Sequence, residues 1–470
     1  MMQSVELPVW LLVLILLFAA VTASTHLLFP SVRWFFRRRA ERLVAELNKR
    51  LDRPIQPFKL LRRQDMIQRV IYDPDVVRAV ADHAAENGVR EDVAFEKARD
   101  YAREIVPSFS ASAYFGIAIK VARWVATKLF DVRLHHVDEE AISKIDPEAT
   151  VVFVMNHRSN FDYVLVTYLA ATQSALSYAV GEWARVWPLR SLIKAMGAYF
   201  IRRNSRTTLY RKVLSTYIQR ATEAGVTQAV FPEGGLSRDG LIGQPKLGIL
   251  SYIVEGWKLD GRDVVFVPIA LNYDRVVEDR VLVAAGRSGR RRFRASVPEG
   301  IHFTVRYIRR RIMGKVGRFG LAAVTFGHPV SLKALAEDAT ADLVATLAER
   351  LNTDIRASIP IVTVPLILAA ISQLSDGATV DDIAAAMVDI RPKQNGNMPD
   401  FALPSEKREK IKRELDILVL RQILHCEKDR YSPADADLVA FYANSISQHL
   451  SADAAKVIPI INATDAPAET

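Results

Sequence analysis

Val151-Val152-Phe153-Val154-Met155-Asn156-His157-Arg158-Ser159-Asn160-Phe161-Asp162 is the stretch whose reading decides the fold of this chain. An apolar run ends in Asn156-His157, and an aspartate follows the histidine by five positions. Val151 to Val154 reads as a short buried strand, and Tyr163 to Leu169 as the entry of a helix. Five helical steps of about 100° would leave the two side chains roughly 140° apart. They meet only if His157 lies in the turn and the helix begins around Ser159 to Asp162, where Asn156, Ser159 and Asp162 are all suited to capping. The pattern therefore predicts strand, exposed histidine, helix, with Asp162 folding back to orient a proton acceptor. Turns that leave a strand are where rigid scaffolds present reactive groups. Read alone, the spacing favours a blander account, a surface histidine beside a helix N-cap, because nine histidines make a chance match unsurprising.

Length and composition narrow the class. The chain has 470 residues, half of them hydrophobic, enough for two or three domains with ample core. Its single cysteine, Cys426, excludes an internal disulfide framework and a thiolate metal cluster. His135 and His136 lack a third ligand at useful spacing and read as solvent-facing. No metal is implied. A formal charge of +10 suits nucleic acid, anionic lipid or an acidic carrier protein. The aromatic-basic interleaving of a nucleic-acid module is absent, so no nucleic-acid partner is expected.

Lipid is favoured by the beginning of the chain. Leu7 to Phe29 carries no formal charge over more than 20 positions, enough to cross about 30 Å of hydrocarbon. Glu6 is the only charge before it, so the basic n-region of a cleaved signal peptide is missing. Arg33-Trp34-Phe35-Phe36-Arg37-Arg38-Arg39 follows, and interfacial aromatics beside a basic cluster place the body on the cytoplasmic side. The expectation is a single-pass anchor over residues 1–30, with a helix lying in the membrane surface as the competitor.

Residues 31–130 read as a helical region. Tyr114 to Phe130 is amphipathic, punctuated by Lys120, Arg123 and Lys128, and fits either a membrane surface or packing on the next domain. Residues 131–335 alternate short apolar strands (151–154, 176–180, 198–201, 228–231, 264–269, 322–326) with helical stretches such as Arg206 to Ala224, closed by Gly225. That alternation argues an α/β layer structure. Residues 336–470 read as helical again: Thr340 caps a helix with Leu343, Leu347, Leu351 and Ile355 in one row, and 391–404 breaks the pattern. Ile359 to Ile371 is apolar but too short to span, hence buried or interfacial. Arg287 to Arg318 holds eleven basic residues and one acid, Glu299, and fits a solvated loop as well as a surface for anionic headgroups or an acidic carrier.

Three further segments carry chemistry. Gly197 to Arg203 ends a strand with Arg202-Arg203, a pair suited to phosphate. Phe231-Pro232-Glu233-Gly234-Gly235-Leu236-Ser237-Arg238-Asp239-Gly240 joins a strand to a glycine-rich turn that lets backbone approach a ligand, with Arg238 and Lys246 as cations. Val267-Pro268-Ile269-Ala270-Leu271-Asn272-Tyr273 closes another buried strand.

These four blocks, in this order, resemble those of the membrane glycerol-3-phosphate acyltransferase family, within the wider group built on an H-x4-D motif. Asn156 to Tyr163 is similar to its first block, Gly197 to Arg203 to its second, Phe231 to Arg238 to its third, and Val267-Pro268 with Tyr273, Val276 and Glu278 to its fourth. The long helical flanks resemble the larger bacterial-type and mitochondrial-type members. The resemblance implies an acyltransferase fold, α/β with a central mixed sheet flanked by helices. It implies acyl transfer to the sn-1 hydroxyl of glycerol 3-phosphate, with no bound cofactor and an acyl-CoA or acyl-carrier-protein thioester as co-substrate. Catalytic roles fall to His157 and Asp162. Substrate binding falls to Arg158, Ser159, Arg202, Arg203, Glu233, Gly234, Ser237, Arg238, Lys246 and Pro268. Membrane lipid, and an acyl carrier protein drawn by the basic stretch, are the implied partners.

Two positions depart from the family pattern. Asn160 stands where a second histidine is usual, and Leu236 where an arginine assigned to the acceptor phosphate is usual. The second departure leaves lysophosphatidate or another lipid alcohol open as acceptor. A non-catalytic lipid-binding scaffold is the rival from outside the enzyme class. Chemically, an alcohol is a weak nucleophile at neutral pH and a thioester is already activated, so a base and oxyanion stabilisation are what the reaction needs. His157 supplies the base and Asp162 fixes its tautomer, the His-Asp half of a triad whose nucleophile is the substrate's own oxygen.

Overall fold

The computed structural model describes residues 8–23, 38, 42, 44–49, 51, 53–61, 63–169, 175–181, 189–202, 207–288, 309, 317–338, 342–374, 377–391 and 407–458. Residues 1–55 and 56–470 pack as two separate compact units. In the first, an apolar helix runs over Val9–Ala23, and every described side chain from Pro8 to Phe18 except that of Leu11 is exposed. Its 15 residues rise about 22 Å, short of the ~30 Å hydrocarbon core. Among the described residues no helix is long and apolar enough to cross a membrane, and the rest of the span expected over Leu7 to Phe29 lies outside them.

The second unit is built on one eight-stranded sheet. Its strands are β1 (Asp131–His136), β2 (Thr150–Met155), β3 (Ser177–Val180), β4 (Tyr199–Phe200), β5 (Gln228–Val230), β6 (Val264–Tyr273), β7 (Leu321–Phe326) and β8 (Val330–Ser331). The order is β1-β7-β6-β2-β5-β3-β4, with β8 also paired to β6. All pairs are parallel except those of β6 with β7 and β8, so the sheet is mixed, as the family resemblance implied.

β2 and β6 are buried along their whole lengths, which is why both read as unbroken apolar runs rather than alternating ones. Alternation still sorts their side chains. Val151, Phe153 and Met155 join Val267, Ile269, Leu271 and Tyr273 in one core, and Val152 and Val154 join Val264, Phe266 and Ala270 in the other. The first core is completed by the helices Ile119–Leu129, Asp162–Leu169 and Thr363–Ser372. The second is completed by Arg63–Ile71, Pro74–Asn87, Glu91–Ile105, Thr208–Glu223 and Leu343–Ser358. Both helical flanks thus cover the sheet.

Most expected elements form. The apolar run Ile359 to Ile371 is buried throughout, and Leu347, Leu351 and Ile355 line the buried face of their helix. Asp342 caps that helix through the N–H groups of Val344 and Ala345; Thr340 lies outside the described residues. Three features escape the sequence reading. β1 joins the sheet edge although its pattern is polar. β8 is only two residues long. The C-terminal region carries a hairpin, Leu424–Glu427 with Arg430–Pro433, among its helices. His135 and His136 are accordingly half-buried in β1 rather than solvent-facing, and His136 stacks on Phe326 of the neighbouring strand with centroids 5.0 Å apart.

A buried carboxylate ties the C-terminal region to the sheet. Asp274, immediately after β6, accepts the Leu321 N–H at 2.7 Å and the Val364 N–H at 3.0 Å. Burial lifts its pKa from 3.8 to about 6, with the Arg275 charge opposing the rise and that of Glu414 adding to it. A carboxyl whose folded pKa lies above its unfolded value stabilises the fold most below pH 4, and that contribution is lost as pH rises through 6. That rise corresponds to ~3 kcal/mol. Asp274→Asn carries no titrating group, so the stability of the natural chain relative to this variant should decline by up to ~3 kcal/mol between pH 4 and 7. Denaturant midpoints measured for both proteins across that range check it, and parallel curves would remove the carboxyl from the account.

Candidate active site

β2, β5, β3, β4 and β6 run parallel, so their C-terminal ends share one edge of the sheet, where ligands of open α/β sheets bind. β2 delivers Asn156 to Asp162 to that edge, β5 delivers Phe231 to Gly240, and β6 delivers Tyr273 and Glu278.

Asn156 is more than a cap. Its side-chain amide donates to the Leu271 carbonyl at 2.9 Å and accepts the Leu271 N–H at 2.7 Å, so it stands in for one more backbone pair between β2 and β6. Beyond it the chain turns, and four successive backbone N–H groups end on carboxylates. His157 N–H donates to Glu233 Oε1 at 2.8 Å, Arg158 and Ser159 N–H to Asp162 Oδ2 at 2.8 and 3.0 Å, and Asn160 N–H to Glu278 Oε1 at 2.6 Å.

Asp162 opens the helix Asp162–Leu169 and folds back as expected: its Oδ2 lies 2.9 Å from His157 Nδ1, with both side chains buried. Its second oxygen accepts the Tyr273 hydroxyl at 2.5 Å. A carboxylate only accepts, so Nδ1 carries the imidazole proton and Nε2 keeps its lone pair. The ring lies flat on Phe231 (centroids 4.2 Å, interplanar 29°) and edge-on to Tyr163 (5.4 Å, 84°), which fixes its plane. The histidine expected to be exposed is 3% exposed. Oriented this way, it can take a proton from a hydroxyl brought to Nε2.

Glu233 spends its other oxygen on the Gly243 N–H at 3.0 Å; burial pushes its carboxyl up, while the two N–H bonds and the Arg158 charge hold it down. Both of these hydrogen bonds come from backbone N–H groups, and the Arg158 charge acts on the carboxyl without a hydrogen bond. Arg158 is buried, and its guanidinium donates to the carbonyls of Gly240 and, at 3.2 Å, Ser445; burial lowers its pKa against the pull of Glu233, Asp239 and Asp162. Ser159 Oγ donates to Glu278 Oε2 at 2.9 Å. Ser237 donates its N–H to the His157 carbonyl at 3.0 Å and its hydroxyl to the Leu241 carbonyl at 2.8 Å.

Gly234 sits at φ +66°, and a Cβ there would press on the Lys246 side chain at 3.0 Å, so the lysine lies across the glycine turn. Arg238 is half-buried in the same turn. Leu236 packs as a partly buried residue against the apolar core. Pro268 is buried within β6 opposite Val154. Arg202 forms a forked pair with Glu104 at 2.5 to 3.1 Å, stacked near Tyr101 and Tyr210, and this pairing raises its pKa. Arg203 lies outside the described residues. Tyr273 and Glu278, quoted in the fourth block without a role, turn out to bond the turn that carries His157. Strand alternation offered a signal for Tyr273, which shares the face of β6 with Ile269 and Leu271.

Residues 134–272 match the family model described as Acyltransferase. The matched segment runs from β1 to β6, and over that segment the chain is similar to acyltransferases. Over 301 residues it is 27% identical to a glycerol-3-phosphate acyltransferase of Pseudomonas syringae pv. tomato (strain ATCC BAA-871 / DC3000), covering 63% of this chain and 35% of that protein. A glycerol-3-phosphate acyltransferase of Pseudomonas fluorescens (strain Pf0-1) is 28% identical over the same length, with 63% and 34% covered. The aligned part thus spans about a third of the length of these curated relatives. The crystal structure of the 1-acyl-sn-glycerophosphate acyltransferase from Thermotoga maritima aligns with 52% of this chain and 75% of its own at 16% identity and a TM-score of 0.31. The fold assignment rests on the strand order and pairing instead.

The Tyr273–Asp162 bond gives a direct check on the site. A hydrogen bond to an ionised group contributes roughly 1.5–3 kcal/mol. Tyr273→Phe should lower unfolding free energy by about that amount, and the loss should shrink in an Asp162→Ala background, since the partner is already gone. Equal losses in both backgrounds, measured by chemical denaturation, would show that the tyrosine matters only for packing.

Proposed function

We propose that this chain transfers a fatty acyl group from an acyl thioester to the sn-1 hydroxyl of glycerol 3-phosphate, giving lysophosphatidate. The observation that carries the reading is the buried His157–Asp162 pair, 2.9 Å apart at the C-terminal edge of a sheet whose domain matches an acyltransferase family model. The likeness to glycerol-3-phosphate acyltransferases supplies the acceptor.

In this reading His157 Nε2 removes the proton of the acceptor hydroxyl as its oxygen attacks the thioester carbonyl. Asp162 accepts from Nδ1–H and supports the imidazolium that forms. The tetrahedral oxyanion collapses, the C–S bond breaks, and the proton on Nε2 passes to the departing thiolate. No acyl-enzyme forms, because the attacking oxygen belongs to the substrate. Glu233 holds the His157 backbone in register. Lys246 and Arg238, with Arg203, supply positive charge to the acceptor phosphate. Pro268 shapes the acyl side. The donor is an acyl-CoA or an acyl carrier protein, the second favoured by the basic composition between Arg287 and Arg318.

We further propose that the protein works at the cytoplasmic face of a membrane, anchored by its first 30 residues. The uncharged run Leu7 to Phe29 supports this. So does the helix over Ile119–Leu129 and the turn before it, which buries Ala118, Ala122 and Ala126 while exposing Ile117, Val121 and Trp124 among Lys120, Arg123 and Lys128. Deleting residues 1–30 should move the protein from the membrane pellet toward the supernatant; full retention in the pellet would exclude them as the anchor.

Radiolabelled acyl transfer with glycerol 3-phosphate and lysophosphatidate in parallel, each with acyl-CoA and with acyl carrier protein, tests the reaction. Product is expected with glycerol 3-phosphate, and His157→Ala should lower the rate by on the order of 10²-fold or more at matched expression. Product only with lysophosphatidate would reassign the acceptor, and near-normal transfer by His157→Ala would sink the mechanism.

A further inference from the structure

The turn carrying His157 is gripped at three places, and one grip is not accounted for by acid–base chemistry. Asp162 orients the imidazole, and Glu233 holds the His157 N–H. Glu278 grips the middle. Its Oε1 accepts the Asn160 N–H at 2.6 Å and its Oε2 accepts the Ser159 hydroxyl at 2.9 Å. Ser159 Oγ in turn accepts the Phe161 N–H at 3.0 Å, so the one carboxylate organises three consecutive residues between the base and its orienting aspartate.

The arrangement carries a cost. Burial and the nearby Asp162 charge both push the Glu278 carboxyl up, against the hydrogen bonds it receives. A second anion close to the one that orients the histidine is a poor choice for stability alone, since a neutral acceptor would serve the single N–H. What the carboxylate adds is two acceptors at fixed separation on a helix start: Glu278 immediately precedes the helix Asp279–Arg287, which is held by Tyr442 to Asp279 Oδ2 at 2.6 Å and by an Arg421–Asp279 ion pair. The other end of the same segment carries Tyr273, bonded to Asp162. The piece of chain from Tyr273 to Glu278 therefore contacts the turn at Asp162 and again at Ser159-Asn160.

We propose that Glu278 is a positioning residue: by clamping Ser159 and Asn160 it sets the alignment of His157 with Asp162. It touches no reacting atom. If the clamp opens, the turn can pivot between its two functional ends, and displacements near 1 Å in such a pair cost up to about 100-fold in rate. This rests on the reading of His157 as the base, so the test has one arm that needs no substrate.

Histidine-selective ¹⁵N labelling of the full chain should give a downfield Nδ1–H resonance assigned to His157 by its loss in His157→Ala. Glu278→Ala should broaden or abolish that line, and Glu278→Gln should keep it, because the amide oxygen can still accept the Asn160 N–H. Glu278→Asp, which keeps the charge and the helix start but retracts the carboxylate by one methylene, should weaken it; this variant decides the matter if the alanine variant fails to fold. In acyl transfer, Glu278→Ala should lower kcat by about 10- to 100-fold with little change in either KM, with substantial recovery in the glutamine variant. In a His157→Ala background it should cause no further loss. An unchanged Nδ1–H line in both Glu278→Ala and Glu278→Asp overturns the proposal, and so does an added loss in the His157→Ala background. If the line responds as expected but the natural chain acylates neither acceptor, the positioning role stands and the proposed reaction falls.

Discussion

Four consecutive backbone N–H groups leave a buried strand in a turn that is itself largely buried, and each must find an acceptor. In this protein all four find carboxylates: Glu233 for His157, Asp162 for Arg158 and Ser159, and Glu278 for Asn160. The three acids come from three separate parts of the chain, after β5, at the start of the helix following β2, and after β6. Closing the turn therefore requires that the ends of β2, β5 and β6 be assembled. This also constrains the chemistry. Those N–H groups are committed to the protein, so in the proposed reaction they are not the donors for an oxyanion on the thioester. Donors for that charge have to come from other groups at the same edge.

One buried acid, Asp162, and two partly buried ones, Glu233 and Glu278, need compensating charge, and Arg158 supplies some of it from within the turn itself. Its guanidinium is buried near Asp162, Glu233 and Asp239, while its hydrogen bonds run to the carbonyls of Gly240 and Ser445. Through them the turn carrying His157 is tied to the glycine-rich loop and to the C-terminal helices at once. Asn444 adds a bond to the Asp239 carbonyl at 2.9 Å, and Asn272 reaches Pro360 and Ser445. Gly240 explains how the loop comes so near: its φ is +85°, and a Cβ would run into the Phe441 carbonyl. The close backbone approach that this glycine permits is to another part of the chain. The C-terminal region belongs to the structure of the site, although it lies outside the residues that match the family model.

What was legible in the sequence was local. His157 and Asp162 are five residues apart on a strand-turn-helix pattern, so helix geometry let the two side chains meet only with the histidine in the turn and the aspartate folded back. The apolar runs of β2 and β6 announced central strands because both faces are covered. What was not legible depends on contacts between distant segments. Nothing near Glu233 indicates that its partners are the N–H groups of His157 and Gly243, and nothing near Arg202 indicates Glu104, 98 positions away. β1 escaped notice because an edge strand keeps polar residues, such as Arg133, on its exposed positions. The paired arginines read as a phosphate clamp for a sound chemical reason, since a fork suits phosphate. The same fork suits a carboxylate, and only tertiary structure decides between them.

That choice bears on how an anionic acceptor could be held. Leu236 replaces the arginine usual at its position and packs against the core, so no charge comes from there. Arg158 bonds carbonyls and Arg202 bonds Glu104. Lys246, by contrast, is exposed and lies across Gly234 beside the loop that contains Glu233. An ammonium is a compact charge on a flexible stem and does not impose the planar, two-point geometry of a guanidinium. Recognition led by Lys246 would reward negative charge near the loop more than the shape of the group that bears it. Discrimination among phosphorylated alcohols would then fall to the walls of the cleft, and to how closely the hydroxyl can approach a histidine that is only 3% exposed.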